Sequence, residues 1–252
     1  MGKIQISTGK ENVTSNTTTV WDRIVALESN LDDIPENIGN TMESLETQLA
    51  EIATKTPMLS LDQYDHLKVA VAEGYDYAPA LTQMIADLPV NGGTLLIPNK
   101  EYGLYSEVVL TKTITLMGFG HHSILRGSGS ITTDTDINHK LIVENLKLIN
   151  TSTNTILKVN KTWTSGGSAT FELFKVWFHS ESNQGTLLDI YGARESGITN
   201  CWFTSATRNA TKGIVLRGDT VGGAMNIHIT NCQFYYLATG VEATGHIDNI
   251  IY

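Results

Sequence analysis

The chain has 252 residues, 41% of them apolar, which is enough for a sizeable core and excludes global disorder. Its net charge of -9 argues against a nucleic-acid partner, because such binders neutralise phosphates with Lys and Arg. No apolar run reaches the length of a membrane span and no N-terminal stretch resembles a secretory signal, so no membrane insertion is expected.

Residues 1–19 are rich in Thr, Ser and Asn and have little periodicity. They read as an extended arm that becomes ordered against a partner surface. The period then changes. Val20, Ile24, Leu27, Leu31, Ile34 and Ile38 follow steps of four and three, and after one extra step of four the rhythm resumes at Met42, Leu45, Leu49 and Ile52. Alternating steps of three and four make a coiled-coil seam, and the extra four is a stutter. An Ile-rich seam favours trimers, so residues 20–56 are expected to form a homotrimeric coiled-coil stem. A helical hairpin folded back at Asp32 to Asn40 is the alternative.

Pro57 ends this region. Residues 57–72 read as a neck helix or linker, with Ser60 and Gln63 as a capping box and Leu61, Tyr64, Leu67 and Val71 on one face. A cap module spans 73–123. Asp76 can cap a helix that carries Pro79 in its first turn and buries Leu81, Met84, Ile85 and Leu88. Strands follow at Thr94 to Pro98, Val108 to Leu110 and Ile114 to Met117. Such a module covers the open apolar end of the first coil of a solenoid.

Residues 124–252 repeat. Val143-Glu144-Asn145-Leu146-Lys147-Leu148 returns as Leu173-Phe174-Lys175-Val176-Trp177-Phe178, as Ile198-Thr199-Asn200-Cys201-Trp202-Phe203 and as Ile229-Thr230-Asn231-Cys232-Gln233-Phe234. A fifth copy is read at Ile247-Asp248-Asn249-Ile250-Ile251-Tyr252. Recurrence at tens of residues marks a solenoid, and the alternating, β-branched character of each phrase marks a strand. A mainly β chain, a parallel β-helix with one coil per repeat, is the expected architecture. A second strand series runs between the phrases, at Ile156 to Val159, Leu187 to Ile190, Ile214 to Arg217 and Gly240 to Ala243. The longest connections are 160–170 and 218–225.

Glu73-Gly74-Tyr75-Asp76, the helix to Leu88, Gly92-Gly93-Thr94-Leu95-Leu96-Ile97-Pro98 and Ile114-Thr115-Leu116-Met117-Gly118-Phe119-Gly120 resemble the leading module of pectate-lyase-like β-helix proteins. The resemblance covers residues 73–252 and implies a right-handed parallel β-helix. Tyr77 and Pro79 depart from the Asp and Thr usual there, and the family's calcium-carboxylate and catalytic-arginine motifs are missing. With a coiled-coil stem in front, the chain resembles bacteriophage tailspikes and neck appendages. That implies a virion component whose arm and stem, residues 1–56, dock to other tail or neck proteins. The homotrimeric β-helix would adsorb to a host surface polysaccharide and, in some members, cleave it. A free polysaccharide-processing enzyme, hydrolase or lyase, oligomerised by its stem, is the second function class. The chain stops inside what reads as a coil, so it is expected to be the virion-proximal part of a longer polypeptide.

Several residues are candidates for chemistry. Lys158, Asp189, Val215 and Glu242 fall in one outward column, with Asp189 and Glu242 two coils apart, roughly 10 Å between backbones. That is near the carboxylate separation of an inverting glycosidase. Glu172, on another face, is a third candidate and suits a groove between subunits. The bland reading is that outward charges keep the solenoid soluble. Trp163, Trp177 and Trp202 can stack on sugar rings, and the last two share a repeat position that faces outward or is half buried. His121 and His122 read as polar turn residues. Asn145, Asn200, Asn231 and Asn249 read as a ladder of stacked amides. Cys201 and Cys232 read as two small buried residues of one interior column, with disulfide geometry a poor fit there. No metal site and no cofactor are expected.

Overall fold

The computed structural model describes residues 57–134, 140–160, 169–182, 184–207, 211–218, 223–245 and 247–251. The arm, the stem with its seam residues Ile24, Leu27, Leu31, Ile38, Met42, Leu45, Leu49 and Ile52, and Trp163 lie outside them.

From Gly93 on, the described chain winds through three sheets in strict rotation. Sheet A orders Met58–Ser60, Gly93–Ile97, Ile114–Gly118, Lys140–Glu144, Thr170–Phe174, Arg194–Thr199, Ala224–Thr230 and Ile247–Ile251. Sheet B orders Val69–Val71, Gly74–Asp76, Glu101–Gly103, Ile124–Gly127, Lys147–Asn150, Trp177–Ser180, Trp202–Ser205 and Gln233–Tyr235. Sheet C orders Glu107–Leu110, Ser130–Thr133, Leu157–Asn160, Thr186–Tyr191, Lys212–Arg217 and Thr239–Thr244. Apart from the antiparallel hairpin Val69–Val71 with Gly74–Asp76, the pairing is parallel. The architecture is a parallel β-solenoid of about six turns, three strands to a turn.

Parallel registry places like above like. In sheet A, Leu95, Leu116, Val143, Leu173, Ile198 and Ile229 form one inward column. In sheet B, Leu125, Leu148, Phe178, Phe203 and Phe234 form another. Its rings stack at 4.8 Å with a 3° interplanar angle, then at 5.2 Å with 11°. These separations are close to the strand spacing of the ladder, about 4.8 Å. Each fully buried Leu, Ile or Phe contributes about 1.5–3 kcal/mol, so the columns are the main source of stability.

The repeated phrase is a corner between two strands. Val143 faces in, Asn145 turns the chain, and Leu146 and Leu148 face in again. Two inward residues three positions apart break the alternation of a strand, and the middle of the phrase absorbs the extra residue. It does so in the left-handed region: φ is 52° at Asn145, 53° at Lys175, 55° at Asn200 and 52° at Asn231. Asn enters this region at less cost than most L-residues, which explains its recurrence by backbone geometry in place of an amide ladder. The fifth copy is different. Ile247 pairs with Ala224 and Ile250 with Ile227, so Ile247–Ile251 is one sheet A strand and Asn249 is not in the corner column.

The start of the solenoid also differs from expectation. Met58–Ser60 pairs in parallel with Gly93–Ile97, and Leu61–Leu67 is a 3-10 helix with Leu61 fully buried. Residues 57–72 thus belong to the stack. Leu61, Tyr64 and Leu67, read there as part of a helical face, dock on the solenoid, Leu61 within its core and the other two packed against it. Coils likewise begin before residue 124.

Helix α1, Ala78–Asp87, buries Leu81, Met84 and Ile85. The Asp76 carboxylate accepts from the Ala78 amide at 3.0 Å and the Tyr105 amide at 2.9 Å, so one residue caps the helix and pins it to the coil. At the other end the Lys112 ammonium donates to the carbonyls of Ile85, Ala86 and Leu88. A phenol–carboxylate network ties the 3-10 helix to the stack. Tyr102 donates to Asp62 at 2.7 Å, and Tyr77 donates to Asp65 at 2.6 Å.

Two predictions follow from this geometry. Asn200→Val should destabilise the protein by about 1–2 kcal/mol more than Asn200→Gly in chemical denaturation, because a β-branched side chain is strained at positive φ and glycine is not. Equal effects would remove the backbone explanation. The second concerns acid. Hydrogen bonds from Lys68 and Tyr77 hold Asp65 down to about 2, and Tyr102 lowers Asp62. A carboxyl depressed on folding adds stability above its unfolded value, roughly 3.9, and loses it as pH falls through the folded value. The melting temperature should therefore drop between about pH 4 and pH 2, with a shallower drop in Tyr77→Phe.

Candidate functional site

The corner between sheets A and B carries the chemistry. After each left-handed residue one side chain turns in, at Leu146, Val176, Cys201 and Cys232, and the next turns out. The outward column is Lys147, Trp177, Trp202 and Gln233, in register. Both tryptophans are half-buried, at the repeat position expected for them. The two tryptophans therefore stand on adjacent rungs of one outer face.

Thr204, His179, Lys147 and His121 surround this pair. The Trp177 Nε1–H donates to the Thr204 hydroxyl oxygen at 2.8 Å. His179 Nδ1 meets the same oxygen at 2.8 Å. The Lys147 ammonium lies over the Trp177 ring, 4.0 Å from its centroid. Burial, aided by the Lys147 charge, lowers the His179 pKa below its ordinary value, so the neutral imidazole is favoured. His121 projects from the turn that follows Ile114–Gly118. Its ring stands edge-on to both indoles, 5.4 Å from Trp177 at 88° and 5.4 Å from Trp202 at 74°. Ser123 braces that turn by accepting from the Phe119 amide at 2.8 Å and bonding Asn99 at 3.1 Å. Exposed Phe119 and Phe174 extend the aromatic surface on the sheet A side.

Two cavities flank the corner. One, about 450 Å³, opens beside Trp202 and reaches Lys175, Asn200, Asn231 and Cys232. The other, about 660 Å³, is a groove on the outer face of sheet A. Glycine creates it. The outward column there reads Ile142, Glu172, Gly197, His228, and a side chain added at Gly197 would meet nothing within 4 Å. The strands beside it carry stacked bulges, with φ of 47° at Glu195 and 52° at Asn226. Phe174 and Thr199 line the groove, and Glu172 pairs across a coil with Lys140 at 2.7 Å.

The remaining candidates go elsewhere. Lys158, Asp189, Val215 and Glu242 do form one outward column of sheet C. Arg217 clamps Asp189 through Nε at 2.7 Å and through its second nitrogen, and Lys212 holds Glu242 at 2.7 Å. Each carboxylate is engaged by its own cation. Among the described residues no group of three or more His, Cys, Asp or Glu is placed to hold a metal ion. The sequence did not point to His121, Thr204 or Gly197. Only Gly197, a gap in a column of larger residues, left a readable signal.

Neither a protein-family model nor a curated protein sequence matches the chain. Among solved structures it is similar to ORF18 of Geobacillus virus E2, with a TM-score of 0.55 at 12% identity over 83% of this chain. It also aligns with the pre-mature gene product 12 of bacteriophage phi29, with a TM-score of 0.38 at 10% identity over 84% of this chain. The chain spans 43% of the first protein and 36% of the second. At these identities what is shared with ORF18 is the fold, a parallel β-solenoid.

Proposed function

We propose that this chain is a virion-associated component of a phage tail or neck appendage that holds a host surface polysaccharide on its A–B corner. The observation that carries the reading is the in-register pair Trp177 and Trp202, braced by Thr204, Lys147 and His121. Two tryptophans on adjacent rungs offer apolar area to sugar rings, and the polar atoms beside them can bond hydroxyls. The solenoid likeness to a phage protein supports the viral context. In this reading residues 1–19 and the stem dock to other virion proteins, and residues 20–56 join three copies. Sedimentation of the full chain should give a trimer that Ile24→Asp with Leu45→Asp dissociates. A monomer before any substitution removes the coiled coil.

The sheet A groove, with Glu172 beside Gly197, supports the second reading, a polysaccharide-processing enzyme. One experiment separates the two. The full chain is incubated with capsular and cell-wall polysaccharides, and retention and polymer length are both measured. Retention without shortening is expected, with Trp177→Ala and Trp202→Ala each weakening it about tenfold, which corresponds to about 1.4 kcal/mol. Shortened polymer would transfer the activity to the groove. Retention unchanged in both variants would remove the aromatic pair from the site.

A further inference from the structure

The groove of about 660 Å³ on the outer face of sheet A has the size of a small-molecule site. It lies within the stack, because Ile114–Gly118 pairs on one side of its strands and Ile247–Ile251 on the other. Its floor is Gly197, open down to the backbone, with Glu172 and His228 in the coils to either side. Phe174 and Ile142 line it with apolar surface, and Thr199 and Asn226 bring a hydroxyl and an amide. Among the described residues the side chains of Thr199 and Asn226 have no hydrogen-bond partner.

Charge narrows the choice of occupant. Between Lys140 and Thr244 the outward carboxylates of Glu172, Glu181, Asp189 and Glu242 are each paired with a cation from another coil. Glu144 and Glu195 depart from this rule. Among the described residues neither has a cation within ion-pair distance, and both line the groove. No Lys or Arg lines it. Of the cations nearby, Lys140 is held by Glu172 at 2.7 Å, and Lys175 lies over the Phe174 ring, 4.9 Å from its centroid. A cleft with apolar walls and charge of one sign attracts the opposite sign. Glu144 shares a register position with Phe174 and Thr199, two coils on, whereas Glu195 lies four positions before Thr199. At ladder and strand spacings their backbones are roughly 15 Å apart, so one small cation cannot serve both. A lysine-rich segment would leave Thr199 and Asn226 without partners, which costs binding energy. A sugar brings hydroxyls to them and an apolar ring face to Phe174.

We propose that this groove binds a short run of cationic amino sugars, hexosamine residues whose nitrogens are not acetylated. Ammonium groups on different rings pair with Glu195 at one end and Glu144 at the other. The ring between them lies over Gly197, with its hydroxyls toward Thr199 and Asn226. The choice of a sugar rests on the reading that this chain holds a host glycan, but the site is distinct from the Trp177 and Trp202 pair.

The test titrates the full chain by calorimetry with hexamers of β-1,4-linked glucosamine and of N-acetylglucosamine. The glucosamine hexamer should bind about tenfold or more tightly than the acetylated one, and added salt should shrink the difference. Glu144→Gln combined with Glu195→Gln should abolish the preference. Gly197→Leu, which fills the floor without a clash at Cβ, should weaken binding of the glucosamine hexamer about tenfold. Trp177→Ala should leave it unchanged. Equal affinity for the two hexamers overturns the proposal, and so does full binding in Gly197→Leu. A trilysine peptide bound as tightly as the glucosamine hexamer overturns the choice of a sugar. Loss of the glucosamine hexamer in Trp177→Ala moves it to the corner and overturns the groove site. Polysaccharide retention in the tryptophan variants is read separately, so either site can fail alone. The comparison of the two hexamers on the wild-type chain decides the matter even if a variant does not fold.

Discussion

In a stack of parallel strands each residue stands about 4.8 Å above its counterpart in the coil below, so every position must tolerate its own kind as a neighbour. Apolar residues satisfy this at once, and the inward columns of Leu, Ile and Phe are the result. Charges do not, because like charges at that spacing repel. The outer faces answer by pairing opposite charges from neighbouring columns of different coils. Arg217 meets Asp189, Lys212 meets Glu242, Lys140 meets Glu172, and Arg126 reaches Glu181 at 2.6 Å. Exposed pairs of this kind are worth only about 0–1 kcal/mol each. Their effect is to remove repulsion along the columns, leaving burial to hold the stack.

The corner between sheets A and B shows how one backbone requirement organises a surface. A residue at positive φ consumes one position of the alternation, so the next side chain faces in and the one after it faces out. This rule places Val176 and Cys201 in the core and Trp177 and Trp202 on the outside. Ladder registry then puts the two tryptophans on adjacent rungs although 25 positions separate them in the chain. The same spacing that stacks Phe178 on Phe203 inside the solenoid sets the distance between aromatic positions outside it.

Much of this was legible in the residues. Recurrence of the phrase around Asn145, Asn200 and Asn231 revealed the stack, and the shared position of Trp177 and Trp202 revealed their common column. The outward column of Lys158, Asp189, Val215 and Glu242 was also legible, because alternation within a strand carries into registry between strands. What it did not convey was which cation each carboxylate would meet, since Arg217 and Lys212 lie on neighbouring columns. Periodicity alone could not separate a strand from a corner, because the phrase keeps inward residues on both sides of Asn145. Ile247 to Tyr252 imitates the phrase in composition, yet the register of Ile247–Ile251 with Ala224 and Ile227 makes that segment a strand. His121 was the largest omission. Its place against two indoles depends on a turn packing across coils, and no local pattern encodes that contact.

The bracing of that turn has a consequence for how such a surface can diversify. The first turn of the corner contributes His121, which reaches the indoles two and three coils on, and the next coils contribute Lys147, Trp177 and Trp202. A solenoid of this kind is inherited in slices. Exchange of one coil by recombination, cut at two equivalent left-handed corners, would hand over one outward residue of the platform and one inward residue of each column. The core accepts such a slice wherever the incoming inward residue is of similar volume. The outer face can therefore be changed one rung at a time, while the scaffold that presents it stays continuous.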